Sequence, residues 1–162
     1  MKRRLELNTE NKYQYIRWVI TKVEGNPPLY GWAVQAAEFV IYDTNGNRIY
    51  YPDKATAIAS PYVDHPNASS EYADKLIDNN TTNGKFFNPT TLPVTIQIDI
   101  SKPVSIGYYG YYTANDDFNR DPVSWEVYLS KDGSKYILAD TQFDVAVTSQ
   151  RNALVGKYKL NI

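Results

Sequence analysis

The sequence predicts an all-β protein built as an antiparallel β-sandwich, and three observations carry that prediction. Apolar and polar residues alternate with a period of two in several short runs; Val94 to Ile100 and Val123 to Ser130 are the cleanest. Loops rich in Gly, Pro and Asn separate these runs. No segment of useful length keeps the 3.6-residue period of a helix, and no internal repeat is present. Seven or eight short strands joined in this way make a sandwich.

The elements follow in order. Residues 1–12 are polar and read as an N-terminal arm, which leaves 13–162 for the sandwich. A long strand is expected over 13–23, then a loop over 25–32 and a second strand over 33–42. Asn45-Gly46 is a strong turn signal. Residues 52–70, with Pro52, Pro61, Pro66 and the Ser69-Ser70 pair, read as one long loop, and Glu71 to Ile77 as a helical turn or two. Val94 to Ile100 reads as a half-buried strand, followed by another over 104–112. In that second strand period two sets Tyr109 and Tyr111 on one side, Ile106, Tyr108 and Tyr112 on the other; one side is core. Pro122 opens the next strand, where a missing amide costs little. Its Trp125 is expected in the core, and Asp132-Gly133 is expected to supply the positive φ angles of a tight hairpin. A last strand is expected near 157–162.

Composition excludes several classes of function. A chain of 162 residues buries roughly 70% of its unfolded surface as one domain and needs no staple. With no cysteine there is no disulfide scaffold, thiolate zinc site or cysteine nucleophile. A net charge of −1, with basic residues spread along the chain, argues against a nucleic-acid binder. Met1-Lys2-Arg3-Arg4 has the charge of a signal-peptide start, but Glu6, Asn8, Glu10 and Asn11 follow and no apolar core segment exists. No run approaches a membrane span, so no membrane insertion is expected. One histidine, no Gly-x-Ser-x-Gly elbow and no phosphate loop leave little for catalysis. Asp116-Asp117 makes a poor glycosidase pair, because adjacent loop residues point apart. The expectation is a protein that is not an enzyme. Fifteen tyrosines, each a strand former with a polar handle, suit amphipathic binding faces.

The order Arg120-Asp121-Pro122, strand Trp125, then Ser130-Lys131-Asp132-Gly133 resembles the discoidin (coagulation factor 5/8 type C) domains and the related galactose-binding-like carbohydrate-binding modules. Ala73 to Phe87 is similar to the family's Ala-x-x-Ala-x-Asp-Gly-Asn-x-x-Thr-x-Trp loop, with Phe86 or Phe87 in the place of the Trp and Asn83-Gly84 replacing a single Thr. Val94 to Val104 and Asp140-Thr141-Gln142 extend the likeness over roughly residues 70–142. The terminal disulfide of the animal domains is missing. Tyr13 to Ile20 and Ala36 to Tyr42 look like the family's last two strands, yet here they come first, as in a circularly permuted chain. The resemblance implies a jelly-roll-like, galactose-binding-like sandwich that binds surfaces or sugars.

It also implies a structural calcium. Microbial relatives wrap the ion in the Asp-Gly-Asn loop with help from the final strand's Glu, which points to Glu38, Asp78, Asn80, Thr82 and Asn83. Calcium wants six to eight oxygens of mixed type, and these residues offer such a set. The alternative is an Asx-rich turn satisfied by its own backbone.

A ligand face is expected at one end of the sandwich, where loops on a rigid scaffold gather binding residues. A sugar wants an aromatic plate and planar polar groups. Tyr30, Trp32, Tyr62, His65, Asn115, Asp116 and Arg120 supply that inventory, with Asp117 and Asn119 beside them. Each also has a plainer use: Trp32 can plug the end of the core, His65 can cap a turn, and Arg120 can pair with Asp121 or hold its loop. Two functions follow. The first is a non-catalytic adhesion module for a glycan or other cell-surface ligand. The second is a structural or decoration protein of a large assembly such as a phage capsid or tail, with protein partners in the viral particle and an oligomer formed through tyrosine faces. Either places the chain facing outward, on a virion or cell surface, and the want of an export signal favours the second.

Overall fold

The computed structural model describes residues 11–25 and 33–162. Eleven strands are present among them: β1 (Tyr13–Val23), β2 (Val34–Ala36), β3 (Glu38–Tyr42), β4 (Arg48–Ile49), β5 (Thr56–Ser60), β6 (Phe86–Asn88), β7 (Val94–Val104), β8 (Tyr108–Tyr112), β9 (Pro122–Ser130), β10 (Tyr136–Gln142) and β11 (Leu154–Lys159). One sheet runs β10-β9-β1-β7-β5, a second β11-β8-β3-β4, and β2-β6 form a small ribbon. Every described pairing is antiparallel, as the fold class requires.

The two larger sheets face each other across an aromatic core. Trp18 of β1 meets Phe39 of β3 with ring centroids 5.1 Å apart, and Tyr111 of β8 at 5.3 Å. Trp125 of β9 stands edge-on to Tyr111 at 5.6 Å. Such tilted and edge-on pairs gain about 0.5–1.5 kcal/mol beyond area burial. Trp125 also donates through Nε1 to the Tyr109 hydroxyl (2.7 Å), which donates to Asp140 Oδ2 on β10 (2.6 Å). Tyr109 and Tyr111 are thus the core side of the tyrosine run, and Tyr108 and Tyr112 the half-buried outer side.

β1 lies between β7 and β9, with Ile16 opposite Ile98 and Leu129. The permuted order expected from the resemblance would require that placement beside the Trp125 strand.

Several sequence expectations are corrected. Residues 52–70 are not all loop, since β5 pairs with β7 from Thr56–Asp99 to Ser60–Thr95 and forms the sheet edge. The strand over 33–42 breaks at Ala37, which sends β2 to the ribbon and β3 to the second sheet. The strands near 104–112 are divided, as β7 runs on to Val104 and β8 begins at Tyr108. The β9–β10 connection is no two-residue turn: Ser130 pairs with Tyr136 across a five-residue loop in which Gly133 takes φ +77°. There Asp132 Oδ1 accepts from the amides of Ser134 and Lys135, so a carboxylate closes the loop in place of a second left-handed residue. The helical reading of 71–77 becomes a 3-10 turn over Ala73–Ile77, and the last strand ends at Lys159. The proposed arm over 1–12 lies almost wholly outside the described residues.

Candidate functional site at the Phe87 end

The ribbon strand β6 is three residues long, and its alternation decides which phenylalanine is available. Phe86 is fully buried in the core, while Phe87 is half-buried and faces the loops. Three side chains, His65, Lys85 and Arg120, meet the Phe87 ring. His65 stands edge-on to it with centroids 5.0 Å apart. Arg120 lies over it with Cζ 4.9 Å from the centroid, and Lys85 Nζ is 5.6 Å away. Tyr62 packs tilted against Tyr72 with centroids 5.4 Å apart and holds its hydroxyl 3.4 Å from His65 Nε2. His65 Nε2 donates to the Phe87 carbonyl (3.3 Å), with Glu71 Oε2 3.9 Å away.

The opposite wall is the turn before β9. Lys85 Nζ bonds Asp116 Oδ1 at 2.6 Å and Gln35 Oε1 at 3.0 Å, and Gln35 Nε2 donates to the carbonyls of Asp116 and Asp117. Burial opposes ionisation of Asp116, but the Lys85 contact outweighs it and holds the carboxyl below its usual range. Asp117 sits at φ +27°, a strained backbone, and its carboxylate accepts from the Asn119 amide and lies 3.1 Å from Arg120 Nε. Arg120 therefore pairs with Asp117 and not with Asp121. The fully buried Asp121 instead takes both Nη groups of Arg151, at 3.0 and 2.5 Å.

Of the residues expected at a ligand face, Tyr62, His65, Asp116 and Arg120 come together here, and Asn115 is exposed beside Asp116. Tyr30 and Trp32 lie outside the described residues. Sequence reasoning did not assign Lys85, Tyr72 or Gln35 to the face. Phe87 carried a partial signal, since the sequence expectation put either Phe86 or Phe87 where the resembled family has its Trp.

The loop of residues 78–84 feeds β6 and was the expected calcium site. Glu38 is fully buried on β3, and its Oε2 accepts from the Asn80 amide at 2.9 Å. Burial first, then the Asp78 carboxyl facing it, push Glu38 up to about 9. Its Oε1 is enclosed without a hydrogen-bond partner. A cation between Glu38 and Asp78 fits that orphaned oxygen. Asn80, Thr82 and Asn83 fit less well: Asn80 Oδ1 accepts from the Thr82 and Asn83 amides (3.1 and 3.0 Å), which makes an Asx-type turn of its own. Among the described residues no three His, Cys, Asp or Glu side chains converge on one point. The loop thus supplies one carboxylate, Asp78, and a self-satisfied turn, and β3 supplies the second carboxylate, Glu38.

Compared with protein-family models, with curated proteins and with solved structures, the chain finds no match.

Proposed function

We propose that the chain is a non-catalytic binding module that holds a glycan, or a surface ligand of like chemistry, at the Phe87 end of the sandwich. The observation that carries this reading is the convergence on one half-buried aromatic ring of His65, Arg120 and Lys85, with Asp116 held by Lys85 and Tyr62 beside His65. A sugar presents an apolar ring face and a rim of hydroxyls; an aromatic floor with planar and charged donors answers both. The carboxylates of the cluster are engaged with cations, an arrangement suited to holding a ligand and poorly suited to moving protons. Glu38 and Asp78 would hold a calcium ion behind the loop that carries Lys85 and Phe87. Such a module would work facing outward, on a cell or virion surface.

A second reading, a structural or decoration protein of a large assembly such as a phage capsid or tail, draws on the other edge of the molecule. Ile137 and Leu138 on edge strand β10, and Phe143 just after it, are exposed, Phe143 by 79%.

The test is a glycan array of the purified chain, run with calcium and again with chelator, followed by titration of any hit. The expected result is one glycan class whose affinity falls at least tenfold in Phe87→Ala with the melting temperature little changed. A blank array from folded protein overturns the reading and turns attention to the β10 edge.

A further inference from the structure

We propose that the outer face of the five-stranded sheet carries a second saccharide site, built for an acidic sugar whose carboxylate pairs with Arg17. A groove of about 530 Å³ crosses this face, within the size range of small-ligand sites, and shares no residue with the Phe87 cluster. Pairing register sets its floor. Gln97 on β7, Arg17 on β1 and Tyr128 on β9 stand side by side across three strands. In the next row Ser60 of β5 lies opposite Thr95 of β7.

Arg17 is held in one pose. Its Nε donates to Gln97 Oε1 at 3.1 Å, and its Cζ lies 3.8 Å over the Tyr136 ring. That leaves the Nη fork with no carboxylate in ion-pair reach among the described residues. The nearby Glu126 is occupied by the Tyr128 hydroxyl. The Tyr136 hydroxyl is enclosed beside Arg17 and completes no hydrogen bond. A flat guanidinium fixed by an aromatic ring and an amide matches a carboxylate in bidentate fashion.

The rest of the lining selects the kind of carboxylate. Tyr128 offers an aromatic surface, while Gln97, Thr95 and Ser60 offer amide and hydroxyl groups suited to sugar hydroxyls. An acidic peptide would want apolar pockets for its other side chains, and Val19 is the one aliphatic residue in the groove. Charge and lining together indicate a uronic-acid type of saccharide.

The test is calorimetric titration of the chain with tetramers of galacturonate, mannuronate and glucuronate, using oligogalactose as the neutral control and a glutamate peptide as the acidic one. At least one uronate should bind. Affinity should fall at least tenfold in Arg17→Gln and severalfold in both Tyr128→Ala and Tyr136→Phe, and should stay unchanged in Phe87→Ala. That last variant separates this site from the one at the loop end, since either can fail alone. Three results overturn the proposal: no uronate bound by folded protein, uronate binding indifferent to both Arg17→Gln and Tyr128→Ala, or the glutamate peptide bound through Arg17 while uronates are not.

Discussion

At Asp121 burial and pairing pull in opposite directions. Desolvation of a fully buried carboxyl raises it to about 6, although Arg151 grips both oxygens. Arg151 Nη1 also donates to the Asp116 carbonyl at 2.9 Å, so one side chain neutralises a core charge and backs the turn that walls the Phe87 site. Arg151→Ala should destabilise the fold by about 3 kcal/mol at pH 8, because it strands a buried charge. The loss should shrink at pH 5, where Asp121 takes a proton; chemical denaturation at both pH values measures this. An equal loss at both would mean that Asp121 stays ionised without its partner. The same residues show what the sequence could tell of the site. His65, Asp116 and Arg120 were recognisable because they are planar polar side chains in stretches between the main strand runs. Their meeting point was not, because whether Phe86 or Phe87 faces out depends on how β6 pairs with β2, and Gln35 and Lys85 join the face from positions 50 residues apart.

Strand by strand, the sequence was legible where one face is buried and obscure where neither is. β7 alternates cleanly because core and solvent divide its faces, and β9 does so from Trp125 to Leu129. β5, Thr-Ala-Ile-Ala-Ser, sits at the sheet edge between prolines; small residues face the core and Ile58 faces solvent, which inverts the usual contrast. β3 is buried on every residue, so its run Glu-Phe-Val-Ile-Tyr merged with β2 across Ala37. Between the sheets, the chain Trp125–Tyr109–Asp140 ties β9, β8 and β10 together through two hydrogen bonds at the centre of the aromatic core. Tyr109→Phe keeps the ring and removes the hydroxyl, which leaves the indole N–H buried without an acceptor. The expected cost is about 1–3 kcal/mol. Urea denaturation reads it, and a cost near zero would mean that water enters to replace the hydroxyl.

For the molecule as a whole, Glu38 makes pH, and with it the proposed calcium, a handle on one element. Its folded value of about 9 lies above the 4.5 of the free group. Between those limits the unfolded chain releases the proton and the native chain keeps it, so the native state binds more protons. Stability contributed by the neutral carboxyl is full below pH 4.5 and is lost as pH rises toward 9, at no more than about 1.4 kcal/mol per pH unit. Glu38→Gln should abolish that decline while its amide oxygen still accepts from Asn80, so the stability difference between variant and wild type should grow with pH. Because Asp121 and other groups titrate in both proteins, the difference and not either curve isolates Glu38. The proposed calcium would enter through the same oxygen. An ion bound by Glu38 and Asp78 replaces the proton, so added calcium should raise the wild-type melting temperature most above neutral pH and leave Glu38→Gln nearly unmoved. A wild type that declines with pH yet ignores calcium throughout would mean that a proton bridges the two carboxyls. The loop carrying Lys85 and Phe87 would then be held by pH alone, and ligand affinity at that end should weaken in alkali with calcium present or absent.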